Sequence, residues 1–485
     1  MNRLRTRVIS IMILGVILAF SFHKTLPVSA QPITNILTGG SLYSPLDLVF
    51  TITDPNGLSD IDRAFFEVSY NGTVFNWSIN DFLVPAVLSG TAQMKAVGEK
   101  KVTITFPGLV FSQGLNTLGI GLKDRSGNIG RHEVTLMVLP QGESLPTINN
   151  PDPVFVAIAE KAFTYLAAAG IEKLPYKKEA SYLYGLLDDN GDGKIDEQDN
   201  PANDPFVLDA RSKAEYERGH IPGAINIPFE ELAKEENIDR LPTDREIIIV
   251  DRDHSLSQQL VMYFNLLGFN YHKVFNLKWG MVGWTRDSSI APGRFTEDSR
   301  SSNNNFPIDS TTPKLEDGPV YPYPRISTSQ TDMRAAVLER AKIIFPMVAK
   351  RWYMYTDELM EILDDDSDGA LYGAGDDTSN DPFILDVLPP NFTGHVNIPR
   401  HKAMNWRDIP ALASLQHLPP NRQIVPYCIP AGASEQITML LNLLGYNAIN
   451  LKWSTSAWNI ALHNPNYTFK DDMSSNYPIR TGSNP

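Results

Sequence analysis

The chain has 485 residues, 42% of them hydrophobic, with 35 prolines, one cysteine and a formal net charge of −14. A single cysteine excludes a disulfide-stapled scaffold and a multi-cysteine metal centre, and the apolar content excludes a wholly disordered chain. A net acidic chain also lacks the concentrated basic face that phosphate neutralisation needs, so no nucleic-acid partner is expected; the length suits about three domains.

At the start, Arg3, Arg5 and Arg7 precede the apolar run Val8 to Phe22, and Val28-Ser29-Ala30 forms a small-residue cleavage pattern before Gln31. That order predicts a signal peptide over residues 1–30. The run would reach only ~22 Å as a helix, short of a ~30 Å hydrocarbon core. No stable membrane anchor is therefore expected after cleavage, and a secreted, periplasmic or extracellular location is expected. Losing Arg3, Arg5, Arg7 and Lys24 takes the formal charge from −14 to −18.

Residues 31–145 alternate in runs such as Leu46-Asp47-Leu48-Val49-Phe50-Thr51-Ile52 and Val102-Thr103-Ile104-Thr105-Phe106, separated by turn clusters such as Asp54-Pro55-Asn56-Gly57. Short strands at that spacing predict a β-sandwich. The segment resembles bacterial immunoglobulin-like domains, which implies a spacer or a surface for a protein partner.

Next comes Asp188-Asp189-Asn190-Gly191-Asp192-Gly193-Lys194-Ile195-Asp196-Glu197-Gln198-Asp199. Side-chain oxygens fall at loop positions 1, 3, 5, 9 and 12 (Asp188, Asn190, Asp192, Asp196, Asp199), glycine falls at 6, and Lys194 at 7 offers its carbonyl. This spacing meets the requirements of an EF-hand calcium loop. Aspartate at position 12 resembles the dockerin-type variant. A second loop opens alike with Asp364, Asp366, Asp368 and Gly369, with Ala370 at the carbonyl position and Asp376 one step late to close the shell. Ca2+ is the expected cofactor, in a structural role.

The later chain repeats itself. Asn203-Asp204-Pro205-Phe206-Val207-Leu208-Asp209 returns as Asn380-Asp381-Pro382-Phe383-Ile384-Leu385-Asp386, and Asn265-Leu266-Leu267-Gly268-Phe269 as Asn442-Leu443-Leu444-Gly445-Tyr446, both 177 residues on. Asn276-Leu277-Lys278-Trp279 returns as Asn450-Leu451-Lys452-Trp453 at 174. Short apolar runs (Phe206 to Leu208, Ile247 to Val250) and a stretch of helical length (Leu256 to Leu267) predict open parallel sheets flanked by helices, with ligand sites beyond the strand ends. The expected boundaries are 150–290 and 331–470, with a linker at 291–330 and a tail at 471–485.

Asp209-Ala210-Arg211-Ser212, the run Glu215 to Pro228 with its core Gly219-His220-Ile221-Pro222-Gly223-Ala224, and Leu266-Leu267-Gly268-Phe269 with Lys278-Trp279-Gly280 through Trp284 resemble the rhodanese (thiosulfate sulfurtransferase) family. The fold so implied is an N-terminal β-sandwich followed by two α/β rhodanese-like domains. The family's nucleophilic cysteine lies seventeen residues before the glycine of its leucine-glycine-phenylalanine block. Counting back from Gly268 reaches Asp251, which implies an inactive first copy; counting back from Gly445 reaches Cys428, the sole cysteine.

The resemblance assigns Cys428 as the persulfide-forming nucleophile and Ile429, Pro430, Ala431, Gly432, Ala433 and Ser434 as its substrate-binding loop. A helix N-terminus beside the thiol is expected to favour the thiolate. The family's glycine and arginine at the third and fifth positions after the cysteine are here Ala431 and Ala433, and no arginine occurs between Cys428 and Arg480. Without it an oxyanion loses a bidentate clamp. His220, His395 and the recurring tryptophans read as structural.

Two functions follow. One is an exported sulfurtransferase or sulfane-sulfur carrier that passes sulfur from a thiosulfate or polysulfide donor to a thiol or cyanide-like acceptor. The other is a non-catalytic, calcium-binding extracellular protein on a degenerate rhodanese scaffold.

Overall fold

The computed structural model describes residues 150–168 and 177–483, apart from 299, 327, 350–351, 365–367, 370, 372–375, 377, 379–380, 390–395, 430–431, 462–468 and 471–472, together with the strand segments between residues 19 and 139. The chain divides into two compact units: Met1–Pro146 with Glu358–Pro382, and Thr147–Asp357 with Phe383–Pro485.

In the first unit the alternating runs form two five-stranded sheets. One has the order β2 (Ser29–Gln31), β1 (Ala19–Ser21), β4 (Leu46–Thr53), β8 (Lys101–Leu109), β7 (Gln93–Val97). The other has the order β3 (Ser41–Tyr43), β10 (Ile129–Leu139), β9 (Gly114–Asp124), β5 (Ile61–Tyr70), β6 (Thr73–Trp77). Antiparallel pairing sets like against like: Leu48 opposes Phe106, Phe50 opposes Ile104 and Ile52 opposes Val102. Strand β1 falls within the stretch read as a signal peptide and β2 straddles its end; most of that stretch lies outside the described residues. No helix among the described residues is long and apolar enough to cross a membrane.

The second unit holds the repeat. Its first sheet is wholly parallel, in the order β11 (Lys177–Lys178), β15 (Val274–Leu277), β14 (Ile247–Val250), β12 (Phe206–Asp209), β13 (Ile225–Asn226). The four-residue run Ile-Ile-Ile-Val of β14 is buried throughout, as a strand covered on both faces requires. The second sheet is also parallel, in the order β18 (Lys402–Ala403), β17 (Phe383–Asp386), β19 (Gln423–Tyr427), β20 (Asn447–Ala448). A further parallel pair, β16 (Tyr353–Met354) with β21 (Asn450–Leu451), sets Tyr353 opposite Asn450 much as β11 sets Lys177 opposite Asn276.

The helices are α1 (Pro153–Ala168), α2 (Ala180–Leu187), α3 (Lys213–Arg218), α4 (Glu235–Ile238), α5 (Ser255–Leu266), α6 (Gly280–Trp284), α7 (Met333–Val348), α8 (Thr356–Leu363), α9 (Leu412–Leu415), α10 (Ala433–Leu443) and α11 (Ser454–Trp458). Helices α5 and α10 pack against each other, and every residue of both is buried. Their polar side chains therefore need partners inside the protein. Gln258 Nε2 donates to Asn276 Oδ1 at 2.6 Å, Gln436 Nε2 donates to Gln258 Oε1 at 2.9 Å, and the Tyr165 hydroxyl donates to Gln436 Oε1 at 3.0 Å.

The segment read as a linker is built into this unit. Phe295, Leu315, Tyr323 and Ile326 are buried, and backbone bridges join Asn305 to Asn459, Asp309 to Asn397 and Lys314 to Ala403. The tail is fixed too, through a bridge between His220 and Arg480.

Candidate functional site

The central strand of each parallel sheet ends in the same construction. After β14 comes Asp251, whose carbonyl accepts from Met281 N–H at 2.9 Å, and the Arg252 carbonyl accepts from Val282 N–H at 3.0 Å. After β19 comes Cys428, whose carbonyl accepts from Thr455 N–H at 3.2 Å, and the Ile429 carbonyl accepts from Ser456 N–H at 3.4 Å. Helices α6 and α11 thus brace the two loops from behind, and α5 and α10 begin directly after them.

In the first copy the loop is filled from within. Asp251 Oδ1 accepts from His254 N–H at 2.6 Å and Ser257 Oγ at 3.1 Å, and Oδ2 accepts from Leu256 N–H at 2.6 Å and Ser257 N–H at 3.0 Å. These donors make a concave anion nest at the start of α5, occupied by the protein's own carboxylate. Burial first and Asp253 second push this carboxyl up to about 7, while the amides of Ser257, His254 and Leu256 pull the other way. Gly280 is required behind it: at φ 52, an added Cβ would lie 2.5 Å from the Asp251 carbonyl oxygen.

In the second copy Cys428 is a free, buried thiol, 3% exposed. Its N–H donates to Ser454 Oγ at 3.1 Å, and its Sγ lies 3.4 Å from Ser434 Oγ. Ser454 stands where the first copy has Gly280, and it keeps the left-handed backbone at φ 48. A side chain held in that sparsely populated region supplies a hydroxyl to the loop. Ile429, Ala433 and Ser434 are buried around the thiol; Pro430 and Ala431 lie outside the described residues.

The expected thiolate character is opposed by this setting. Burial, and next the Glu435 carboxylate, push the Cys428 thiol above its ordinary range, against the Ser434 hydroxyl and amide and Lys177. Glu435 is fully buried and bonded on both oxygens. Gly432 N–H and Ser434 Oγ (3.3 Å) donate to Oε2, and Asn450 Nδ2 donates to Oε1 at 3.2 Å. Burial pushes its carboxyl up to about 8. Sequence reasoning missed both Glu435 and Ser454. Their signals were the departures from Gln258 and Gly280 at equivalent repeat positions.

The remaining motif residues are structural. Arg211 Nη2 lies 2.7 Å from Asp209 Oδ2 and donates to the Gly219 carbonyl at 2.8 Å, with both charged side chains buried. His220 stacks on Tyr216 with ring centroids 3.7 Å apart, and its Nδ1 lies 2.8 Å from the Tyr216 carbonyl. His395 lies outside the described residues.

The first acidic loop turns as its spacing requires, with Gly193 at φ 86. Asp188 Oδ2 accepts from Gly193 N–H at 3.1 Å, Asn190 Oδ1 from Asp192 N–H at 2.8 Å, Asp192 Oδ1 from Lys194 N–H at 2.9 Å and Asp196 Oδ1 from Gln198 N–H at 2.9 Å. Asp199 Oδ2 accepts from Asp196 N–H at 2.8 Å. Two buried carboxylate oxygens, Asp188 Oδ1 and Asp199 Oδ1, have no hydrogen-bond partner. In the second loop Asp364 accepts from Asp368 N–H at 3.1 Å and Gly369 N–H at 3.0 Å, and Asp376 is half-buried; Asp366 and Ala370 lie outside the described residues. Among the described residues no three or more His, Cys, Asp or Glu side chains are grouped to hold a metal ion.

Comparison with known proteins points the same way as the loop. Residues 194–287 match the model of the rhodanese-like domain. A sulfurtransferase of Allochromatium vinosum is 31% identical over 83 residues, which are 17% of this chain and 74% of that protein. A Bacillus subtilis protein whose name assigns it provisionally to sulfur carriage is 37% identical over 79 residues, 16% of this chain and 40% of its own length. Among solved structures, a thiosulfate sulfurtransferase from Pseudomonas aeruginosa aligns over 62% of this chain and 47% of its own at 17% identity, with a TM-score of 0.21. The match to the domain model and to the Allochromatium vinosum protein, 31% identical over 74% of its length, carries one conclusion: the chain belongs to the rhodanese-like sulfurtransferase family.

Proposed function

We propose that the second copy carries sulfane sulfur on Cys428, as an exported protein whose first α/β copy is stabilised by calcium. The observation that carries the reading is the place of Cys428: at the end of β19, at the start of α10, with Ser434 Oγ 3.4 Å from its sulfur. The thiolate attacks the outer sulfur of a thiosulfate or polysulfide. An S–S bond forms to Cys428, the donor's S–S bond breaks, and sulfite or a shortened polysulfide leaves with the electron pair. A thiol or cyanide-like acceptor then attacks the outer sulfur and returns the Cys428 thiolate.

Charge-neutral or singly charged donors suit the site better than a doubly charged oxyanion, because the loop offers no guanidinium and Glu435 takes the Gly432 amide. Calcium is supported in the first loop by the ligand spacing and by two buried oxygens left without partners. Asp188, Asn190, Asp192, Asp196 and Asp199, with the Lys194 carbonyl, would hold the ion and fix the entry into β12. Export is supported by the basic, apolar and small-residue order of residues 1–30. The sheets of the first unit are assigned as an immunoglobulin-like sandwich presenting a surface to a partner.

Mass spectrometry of the protein after exposure to polysulfide or thiosulfate tests the sulfur reading. A peptide containing Cys428 should gain one sulfur atom, released by cyanide or dithiothreitol and missing in Cys428→Ser. No adduct with either donor would favour the non-catalytic alternative, for which the self-filled nest of the first copy is the supporting observation.

A further inference from the structure

A buried thiol that must ionise needs a group beside it to take its proton. What lies there is a chain of short contacts. Cys428 Sγ is 3.4 Å from Ser434 Oγ, and Ser434 Oγ is 3.3 Å from Glu435 Oε2. Glu435 is held in place at Oε1 by Asn450 Nδ2 at 3.2 Å and at Oε2 by the Gly432 amide. In the first copy the equivalent position is Gln258, which donates to Asn276 as Asn450 donates to Glu435. The ionisable group therefore occurs in the copy that has the thiol, and a neutral amide in the copy that has Asp251.

The first copy reaches this cluster directly. Asn276 lies opposite Lys177 in the β11–β15 ladder, Gln258 bonds to Asn276, and Gln436 of α10 bonds to Gln258. Burial pushes the Lys177 ammonium below its ordinary range, and the fields of Glu435 and Cys428 pull it back up, so the three groups act on one another electrostatically. From the loop before α5, Asp253 acts on Glu435 in the opposite sense to Lys177, and Lys452 offsets the charge of Asp253.

We propose that Cys428, Ser434 and Glu435 form a proton relay in which Glu435 accepts the thiol proton through the Ser434 hydroxyl, with Lys177 from the first copy balancing the resulting charge. This deepens the sulfur-carrier reading and rests on it for its purpose. The Cys428 S–H bond breaks and its proton goes to Ser434 Oγ as the Ser434 proton passes to Glu435 Oε2. The sulfur keeps the electron pair for attack on the sulfane sulfur. When the acceptor removes that sulfur and Cys428 is released as thiolate, Glu435 returns the proton by the same path. Lys177 takes the place in charge, though not in bidentate geometry, of the absent loop arginine.

The full-length protein has one thiol, so its alkylation by iodoacetamide reads Cys428 alone. The relay predicts a rate rising with pH in two limbs, the lower near pH 8 where Glu435 ionises. Glu435→Gln should abolish the lower limb and slow alkylation about tenfold at pH 7.5. Ser434→Ala should do the same with Glu435 still present, and Lys177→Met should move both limbs to higher pH. Faster alkylation of Glu435→Gln at neutral pH, with the whole profile shifted down, would overturn the relay, since Glu435 would then only repel the thiolate. Retention of the lower limb in Ser434→Ala would overturn it equally, and that variant decides alone if Glu435→Gln does not fold. Unmoved limbs in Lys177→Met would remove Lys177 from the proposal. Because alkylation involves no sulfur donor, an intact relay without any persulfide would sink the sulfur reading and leave the relay standing.

Discussion

Asp251 and Cys428 sit at one position of a repeated loop, yet their surroundings ask for opposite charge states. Four donors converge on Asp251, so its carboxyl fills the nest and is the nest's anion above about pH 7, whereas Cys428 faces the Ser434 hydroxyl and amide beside a buried carboxyl. Asp251→Asn would turn an amide NH2 toward donors that need an acceptor. At pH 8, where the wild-type carboxyl is ionised, the variant should lose about 2 kcal/mol in urea unfolding. A loss below ~0.5 kcal/mol would show that the nest is satisfied in some other way. The exchange of aspartate for cysteine was legible in the sequence because the spacing to Gly268 and Gly445 is a property of one strand, one loop and one helix. Glu435 was not. It adjoins Ser434, but its relation to Asn450, Lys177 and Asp253 depends on chain crossings that no local spacing encodes.

Among the elements, α5 and α10 show where pattern reading stops. Apolar spacing identifies α5 as a helix, but nothing in that spacing says that Gln258, Gln259 and Asn265 within it are buried. They are buried because the second copy supplies the opposite wall, and Gln258 to Gln436 is the bond that joins the walls. The segment 291–330 misleads in the same way: rich in Ser, Asn and Pro, it gives no periodic signal, and buried Phe295, Leu315, Tyr323 and Ile326 anchor it with only two short 3-10 turns, Phe295–Glu297 and Leu315–Asp317, among its described residues. The first acidic loop is the opposite case, since its proposed ligand spacing lies within one short stretch of sequence. If it holds calcium, adding CaCl2 to metal-free protein should raise the melting temperature and chelation should reverse the rise. Asp188→Ala should lower the calcium affinity by at least about tenfold, because it removes the buried oxygen at position 1. Calorimetric titration checks this, and absence of binding heat with no thermal shift would remove calcium from the first copy. The second loop, with Asp376 one step late, should bind more weakly.

Across the whole molecule the buried carboxyls should set the dependence of stability on pH, and they divide into two groups. Burial pushes Glu215 up but the Arg252 guanidinium outweighs it, and Asp253 is held down by Lys452 against its own burial. Their folded pKa lies below the unfolded one, so the stability they add is present above the ordinary carboxylate range and disappears as pH falls through the folded value. Glu435 and Asp251 have the reverse sign. Their pKa is raised on folding, to about 8 and about 7, so their contribution is complete below the ordinary carboxylate range and is lost as pH rises through those values. Stability should therefore peak at about pH 4 to 5, in the ordinary carboxylate range, and decline from there toward pH 8.5. Glu435→Gln keeps the hydrogen-bonding shape of the side chain without its ionisation, so it should flatten the alkaline decline and leave the acid limb unchanged. The effect should be on the order of 2 kcal/mol between pH 5.5 and 8.5, readable as urea midpoints at the two pH values. If the variant declines as steeply as the wild type, Glu435 is not the buried group that titrates in that range, and the charge at the α10 end of the site must be assigned elsewhere.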